Sequence, residues 1–92
     1  MTGKTVKIEF SSAFSRHLKK LNPQIRKKLP ALMVIFSGDP FHRRLKTHKL
    51  TGKLKDKYTF SLAPNLRIVF TFIDNNQTAL FIDIGAHNQV YR

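Results

Sequence analysis

From Tyr58 to Ile84 the chain alternates apolar and other residues in three runs: Tyr58, Phe60 and Leu62; then Leu66, Ile68, Phe70 and Phe72; then Leu80, Ile82 and Ile84. A period of two is the mark of strands with one buried face, so the second half of the chain reads as three meandering strands. Opposed residues in an antiparallel pair share a face, and the connecting loops must therefore keep the three apolar sets together. Three-residue loops, Ala63-Pro64-Asn65 and Asn75-Asn76-Gln77, satisfy that condition. They set Ser61 beside Arg67 and Arg67 across from Gly85. The face opposite the apolar one then carries Thr59, Ser61, Arg67, Thr71 and Asp83.

The first half supplies the cover for that sheet. Lys4 to Phe10 alternates Val6, Ile8 and Phe10 against Lys7 and Glu9, a further half-buried strand. Ser11 or Ser12 then caps a helix whose apolar residues Phe14, Leu18 and Leu21 recur at helical spacing, with Lys19 and Lys20 at its negative end. Asn22-Pro23 closes this helix and opens another, Asn22 as cap and Pro23 in the first helical position. Ile25, Leu29, Leu32 and Phe36 form its apolar stripe, interrupted at Pro30, where a kink or two short segments are expected. Gly38-Asp39-Pro40 ends helical structure. The order predicts an α+β fold, β-α-α-β-β-β, with two N-terminal helices packed on one face of a small, mainly antiparallel twisted sheet. Residues 1–92 form one domain of this kind.

Charge narrows the partners. Seventeen Lys and Arg residues face only Glu9, Asp39, Asp56, Asp74 and Asp83, a formal net charge of +12, which favours a polyanion and above all nucleic acid. The segment from Phe41 to Lys57 concentrates Arg43, Arg44, Lys46, Lys49, Lys53, Lys55 and Lys57 without a clear period and reads as a basic loop or short extended arm. With Ser61 on the adjoining strand and Asn65 at the end of the loop that follows it, these are the candidate RNA-binding residues. There is no cysteine, and His17, His42, His48 and His87 lack metal-ligand spacing, so neither a metal nor another cofactor is expected. Met1 to Val6 lacks the apolar run of a signal peptide, and the stretch Leu29 to Phe36 is too short to span a bilayer. A soluble, cytoplasmic protein without membrane contact is expected.

Four residues carry possible chemistry. Arg67 lies among apolar neighbours in Leu66-Arg67-Ile68-Val69-Phe70, either as a solvent-face arginine paired with Asp83 or as a phosphate ligand. The terminal Ile84-Gly85-Ala86-His87-Asn88-Gln89-Val90-Tyr91-Arg92 hands over His87 and Tyr91 beyond the last strand, close in register to Arg67, and His48 lies in the basic arm. Two imidazoles, a guanidinium and a phenol suffice to cleave RNA without a metal. Histidine can take the proton of the 2′-hydroxyl or give one to the 5′-oxygen, because an imidazole ordinarily titrates near neutrality. Arginine can bridge two oxygens of the crowded phosphorane, and a phenol can stack on a base or assist proton transfer.

Three segments carry a wider resemblance: the arm Leu45-Lys46-Thr47-His48-Lys49-Leu50-Thr51-Gly52-Lys53-Leu54, the strand Asn65-Leu66-Arg67-Ile68-Val69-Phe70, and the Gly-x-His ending followed by an aromatic. Together with the order of elements they resemble the RelE/ParE toxin superfamily, nearest to its YafQ-type mRNA interferases. The resemblance implies that His48 and His87 do acid-base work, that Arg67 serves the scissile phosphate, and that Tyr91 is the terminal aromatic. It further implies mRNA as substrate, cleaved on the ribosome, and a cognate antitoxin, acidic or amphipathic, laid as a helix or added strand across the basic face. Operator DNA would be bound only by the toxin–antitoxin complex. The chain departs from the pattern at Ser61, where YafQ-type toxins have a histidine, and at Asn65, where they have an aspartate. Lys53, Lys55 and Lys57 are candidates to supply the charge that RelE-type toxins carry as lysines in the strand occupied here by Thr59 and Ser61. Three readings stay open to the sequence: an endoribonuclease toxin, a ParE-like inhibitor of DNA gyrase with no catalysis, and a plain basic RNA-binding protein.

Overall fold

The computed structural model describes residues 5–52 and 56–86. Its sheet has five strands, β1 (Lys7–Phe10), β2 (His48–Lys49), β3 (Tyr58–Ala63), β4 (Leu66–Ile73) and β5 (Thr78–Gly85), in the spatial order β1-β5-β4-β3-β2. The last three form the expected antiparallel meander, and β1 lies parallel to β5 at one edge. Between β1 and β2 come α1 (Ser12–Lys19), α2 (Pro23–Arg26) and α3 (Leu29–Gly38), which make the fold α+β. No helix among the described residues is long and apolar enough to cross a membrane.

Local chemistry accounts for the helix boundaries. The Ser11 hydroxyl accepts the Phe14 N–H at 2.9 Å, and the Asn22 side chain accepts the Gln24 N–H at 2.8 Å, so both expected caps form. Pro30 divides the second helical region as its missing donor requires, with α2 ending at Arg26. In α3 the proline falls in the first turn, where no hydrogen bond is lost. Phe36 then reaches the centre of the sheet, its ring 5.2 Å from Phe60, 4.8 Å from Phe70 and 5.1 Å from Phe81. Phe14 packs on Phe81 from α1, and Leu29, Leu62, Ile68, Ala79 and Ile84 complete the core. Each large apolar side chain fully buried here contributes roughly 1.5–3 kcal/mol relative to exposure.

Register is kept by a route the spacing did not suggest. Instead of a three-residue loop, β3 and β4 are joined by the two-residue turn Pro64-Asn65, and a bulge at Leu62 restores Ser61 to its place opposite Arg67. The second connection is a four-residue turn, Asp74 to Gln77, in which Asp74, Asn75 and Asn76 take positive φ values of 58°, 54° and 67°. Asp and Asn tolerate that conformation best among residues with a side chain. From this turn Phe70 pairs with Phe81, but beyond a bulge at Ile82 the pairs are Val69 with Asp83, Ile68 with Ile84 and Arg67 with Gly85. The expected alternation of Leu80, Ile82 and Ile84 therefore holds only at Ile84. Ala79 and Phe81 are buried in the core, whereas Leu80 and Ile82 are half-buried.

The basic arm is more ordered than its composition suggested. Arg43–Leu45 forms a 3-10 turn whose Leu45 is fully buried, the Thr47 hydroxyl donates to the Pro40 carbonyl at 2.6 Å, and His48-Lys49 pairs with β3. β1 is shorter than the alternation from Lys4 implied: it begins at Lys7, and the Val6 N–H bonds to the Ser37 carbonyl at 2.9 Å.

Ser11 ties the second bulge to the first helix. Its N–H donates to the Phe81 carbonyl at 3.0 Å and its hydroxyl to the Ile82 carbonyl at 2.5 Å, while capping α1. Ser11→Ala is accordingly expected to destabilise the fold by about 1–3 kcal/mol in urea unfolding. Exposed Ser12→Ala should stay within about 0.5 kcal/mol.

Candidate nucleic-acid interface

Two cross-strand rows organise the face opposite the core. One runs His48, Thr59, Val69, Asp83 across β2, β3, β4 and β5, and the other runs Ser61, Arg67, Gly85. With strands about 4.8 Å apart and a rise of about 3.4 Å per residue, the Cα atoms of His48 and Arg67 lie roughly 12 Å apart. Two side chains of that size can close most of such a gap. β2 thus brings His48 onto the sheet, which its sequence position could not establish.

The rows are not uniformly open. Thr59 and Val69 are buried in the middle, His48 is exposed at one end, and Ser61, Arg67, Thr71 and Asp83 are half-buried. Ser61 turns its hydroxyl to the Ala63 carbonyl at 3.1 Å, and Asn65 is exposed in the turn. Arg43, Arg44, Lys46 and Lys49 are exposed along the arm, and Lys57 is half-buried with its Nζ 3.2 Å from an Asp56 carboxylate oxygen. Lys49 also lines a cleft of about 450 Å³ with Asp56, Tyr58, Thr71, Phe72 and Asn76, towards the end of the sheet away from Arg67. Lys53, Lys55, His87 and Tyr91 lie outside the described residues.

Arg67 is not the ion-pair partner of Asp83. That carboxylate lies 2.6 Å from Nδ1 of His17 on α1, a contact that the sequence reading missed. The available signal was slight: His17 is three residues from Phe14, on the flank of the buried stripe. Arg67 Nη1 is meanwhile buried and has no hydrogen-bond partner among the described residues. A desolvated guanidinium nitrogen without an acceptor carries a penalty of about 1–3 kcal/mol or more. A phosphate oxygen would relieve that penalty, and arginine's fork suits two such oxygens.

A small α+β protein with a strand arginine on a basic face, its Nη1 buried without a partner among the described residues, is the class that fold and site define. No family model matches the chain. It is 28% identical over 88 residues to RelE4 of Methanocaldococcus jannaschii, a toxin candidate by name, covering 92% of this chain and 89% of the relative. The toxin–antitoxin complex RelBE2 from Mycobacterium tuberculosis contains a chain with the same fold, at TM-score 0.75 and 18% identity, covering 90% of this chain and 99% of that one. YafQ from Escherichia coli strain BL21(DE3) superposes at TM-score 0.71 and 24% identity, covering 95% and 99%. In sequence the chain is thus similar to a relative named for the RelE toxins, and in fold it matches chains of RelBE2 and YafQ.

Replacing Arg67 separates binding from folding. Arg67→Met removes a half-buried guanidinium whose Nη1 has no hydrogen-bond partner among the described residues, so the thermal unfolding midpoint should stay the same or rise. Affinity for a short single-stranded RNA, followed by fluorescence anisotropy, should fall roughly tenfold to a hundredfold.

Proposed function

We propose that the chain is the toxin of a toxin–antitoxin pair and a metal-independent endoribonuclease that cleaves mRNA on the ribosome, nearest in kind to the YafQ-type branch. The observation that carries the reading is the Nη1 of Arg67, buried without a hydrogen-bond partner among the described residues and set between Ser61 and Gly85 on the same face as His48. Charge alone would favour any polyanion; a guanidinium with a buried, unsatisfied nitrogen on the same face as an imidazole suits one phosphodiester undergoing reaction.

In the reaction the 2′-hydroxyl loses its proton to an imidazole and its oxygen bonds to the adjacent phosphorus. The bond from phosphorus to the 5′-oxygen breaks, and that oxygen takes a proton from an acid. Products are a 2′,3′-cyclic phosphate and a 5′-hydroxyl. His48 and His87 are the proposed proton carriers, Arg67 the phosphorane's cation and Tyr91 the aromatic partner. Arg43, Arg44, Lys46, Lys49, Lys53, Lys55 and Lys57 form the proposed phosphate track, with Ser61 and Asn65 as polar contacts beside Arg67. The net charge of +12 supports an acidic antitoxin as the proposed partner, with operator DNA bound by the pair.

The test is cleavage of mRNA by the purified chain, with and without ribosomes, with fragment ends mapped. His48→Ala, His87→Ala and Arg67→Ala are each expected to lower the rate by about tenfold to a thousandfold and to relieve growth arrest on induction. Intact RNA under all conditions, with inhibition of DNA gyrase instead, would overturn the reading. Binding should also weaken steeply with salt, the affinity for single-stranded RNA falling with a log–log slope of about 0.7 per phosphate contacted.

A further inference from the structure

We propose that His17, oriented by Asp83, is an additional proton-transfer group at the β5 rim of the same site, a role that rests on the ribonuclease reading above. The His17 Nδ1 to Asp83 Oδ1 distance is 2.6 Å, and the same carboxylate oxygen accepts the Ile84 N–H at 2.8 Å. An ionised carboxylate only accepts, so Nδ1 carries the hydrogen and Nε2 is left to take or give a proton. A backbone donor that fixes the carboxylate, and a carboxylate that fixes the ring, is the arrangement that orients a histidine for base catalysis.

Position supports chemistry over mere anchoring. The pair keeps 39% and 40% of its two side chains exposed, so it is open to a ligand. A contact as exposed as this one adds little to folding. Because β1 ends at Phe10 and Ser11 turns the chain into α1, the helix lies beside the latter half of β5, and His17 stands at the margin of the polar face. Asp83 is two residues from Gly85, the partner of Arg67, so the Asp83 and Arg67 Cα atoms lie roughly 8 Å apart. His48 occupies the far end of the row that contains Asp83, about 14 Å away across three strand spacings. Arg67 on β4 therefore lies between β5, whose Asp83 holds His17, and the β2 edge that carries His48. Lys20, the residue that closes α1 three positions after His17, and Arg67 add positive charge that draws a phosphodiester to this rim.

Nε2 of His17 takes the proton of the 2′-hydroxyl as O2′ bonds to phosphorus and the P–O5′ bond breaks. O5′ receives a proton from His48 or solvent, and His17 returns its own to solvent.

The experiment is single-turnover cleavage of a short RNA by the full chain across a range of pH, alongside RNA affinity and thermal unfolding. His17→Ala should lower the rate at least about tenfold and remove one limb of the pH–rate profile, with RNA affinity and the unfolding midpoint preserved. Asp83→Asn can turn an N–H toward Nδ1 and force the other tautomer; a similar loss of rate is expected, again at unchanged affinity. Wild-type rates and pH profiles in both folded variants would overturn this proposal alone. Absence of cleavage by the wild-type chain, with or without ribosomes, would overturn the ribonuclease reading and this one with it.

Discussion

The bulge at Ile82 governs both faces of the sheet. A side-chain period of two means that one inserted residue exchanges inside for outside. On the turn side of the bulge, Phe81 and Ala79 point into the core; on the other side, Ile84 does so and Asp83 joins the opposite face. Without the extra residue, the register that pairs Phe70 with Phe81 would send Ile84 outward and set Asp83 and Gly85 toward the helices. Ser11 holds the bulge by accepting one strand's end and starting one helix, bonding to Phe81, Ile82 and Phe14 at once. Core packing and site geometry thus share a single local irregularity.

Phe36 exploits that register from the other layer. Its ring meets Phe60, Phe70 and Phe81 on three consecutive strands, which is possible only when all three project toward the helices at the same height. The T-shaped contacts with Phe70 and Phe81 set the positively polarised edge of one ring against the face of another. A rigid aromatic layer beneath the sheet fixes the backbone of β4, and so the point from which Arg67 departs. Side chains mounted on packed strands keep their geometry better than side chains on loops.

Electrostatics then separates the acids from the arginine. Asp83 is engaged by His17, Asp56 lies against Lys57, and Asp39 accepts the N–H of Phe41 within its own turn. Arg67 Nη1 is left buried without an acceptor among the described residues. Such a surface leaves positive charge facing outward, uncompensated by the five acids, rather than spent inside the fold.

The sequence by itself determined the elements and most of their order. Alternation located the meander, Ser11 and Asn22 marked the helix starts, Pro30 the break, and the Arg67 to Gly85 pairing followed from keeping apolar residues on one side. These are short-range properties, written in the spacing of neighbours. Bulges were invisible, because an even turn plus a bulge preserves the same parity as an odd loop, and the difference shows only in which of Leu80, Phe81 and Ile82 is buried. Strand β2 was hidden by its charge, since a two-residue edge strand needs no apolar pattern of its own. Tertiary structure alone decided that Asp83 meets His17, 66 residues away, and that Nη1 of Arg67 has no hydrogen-bond partner among the described residues. Such pairings depend on where a helix lands against a strand edge, and no local periodicity encodes that distance.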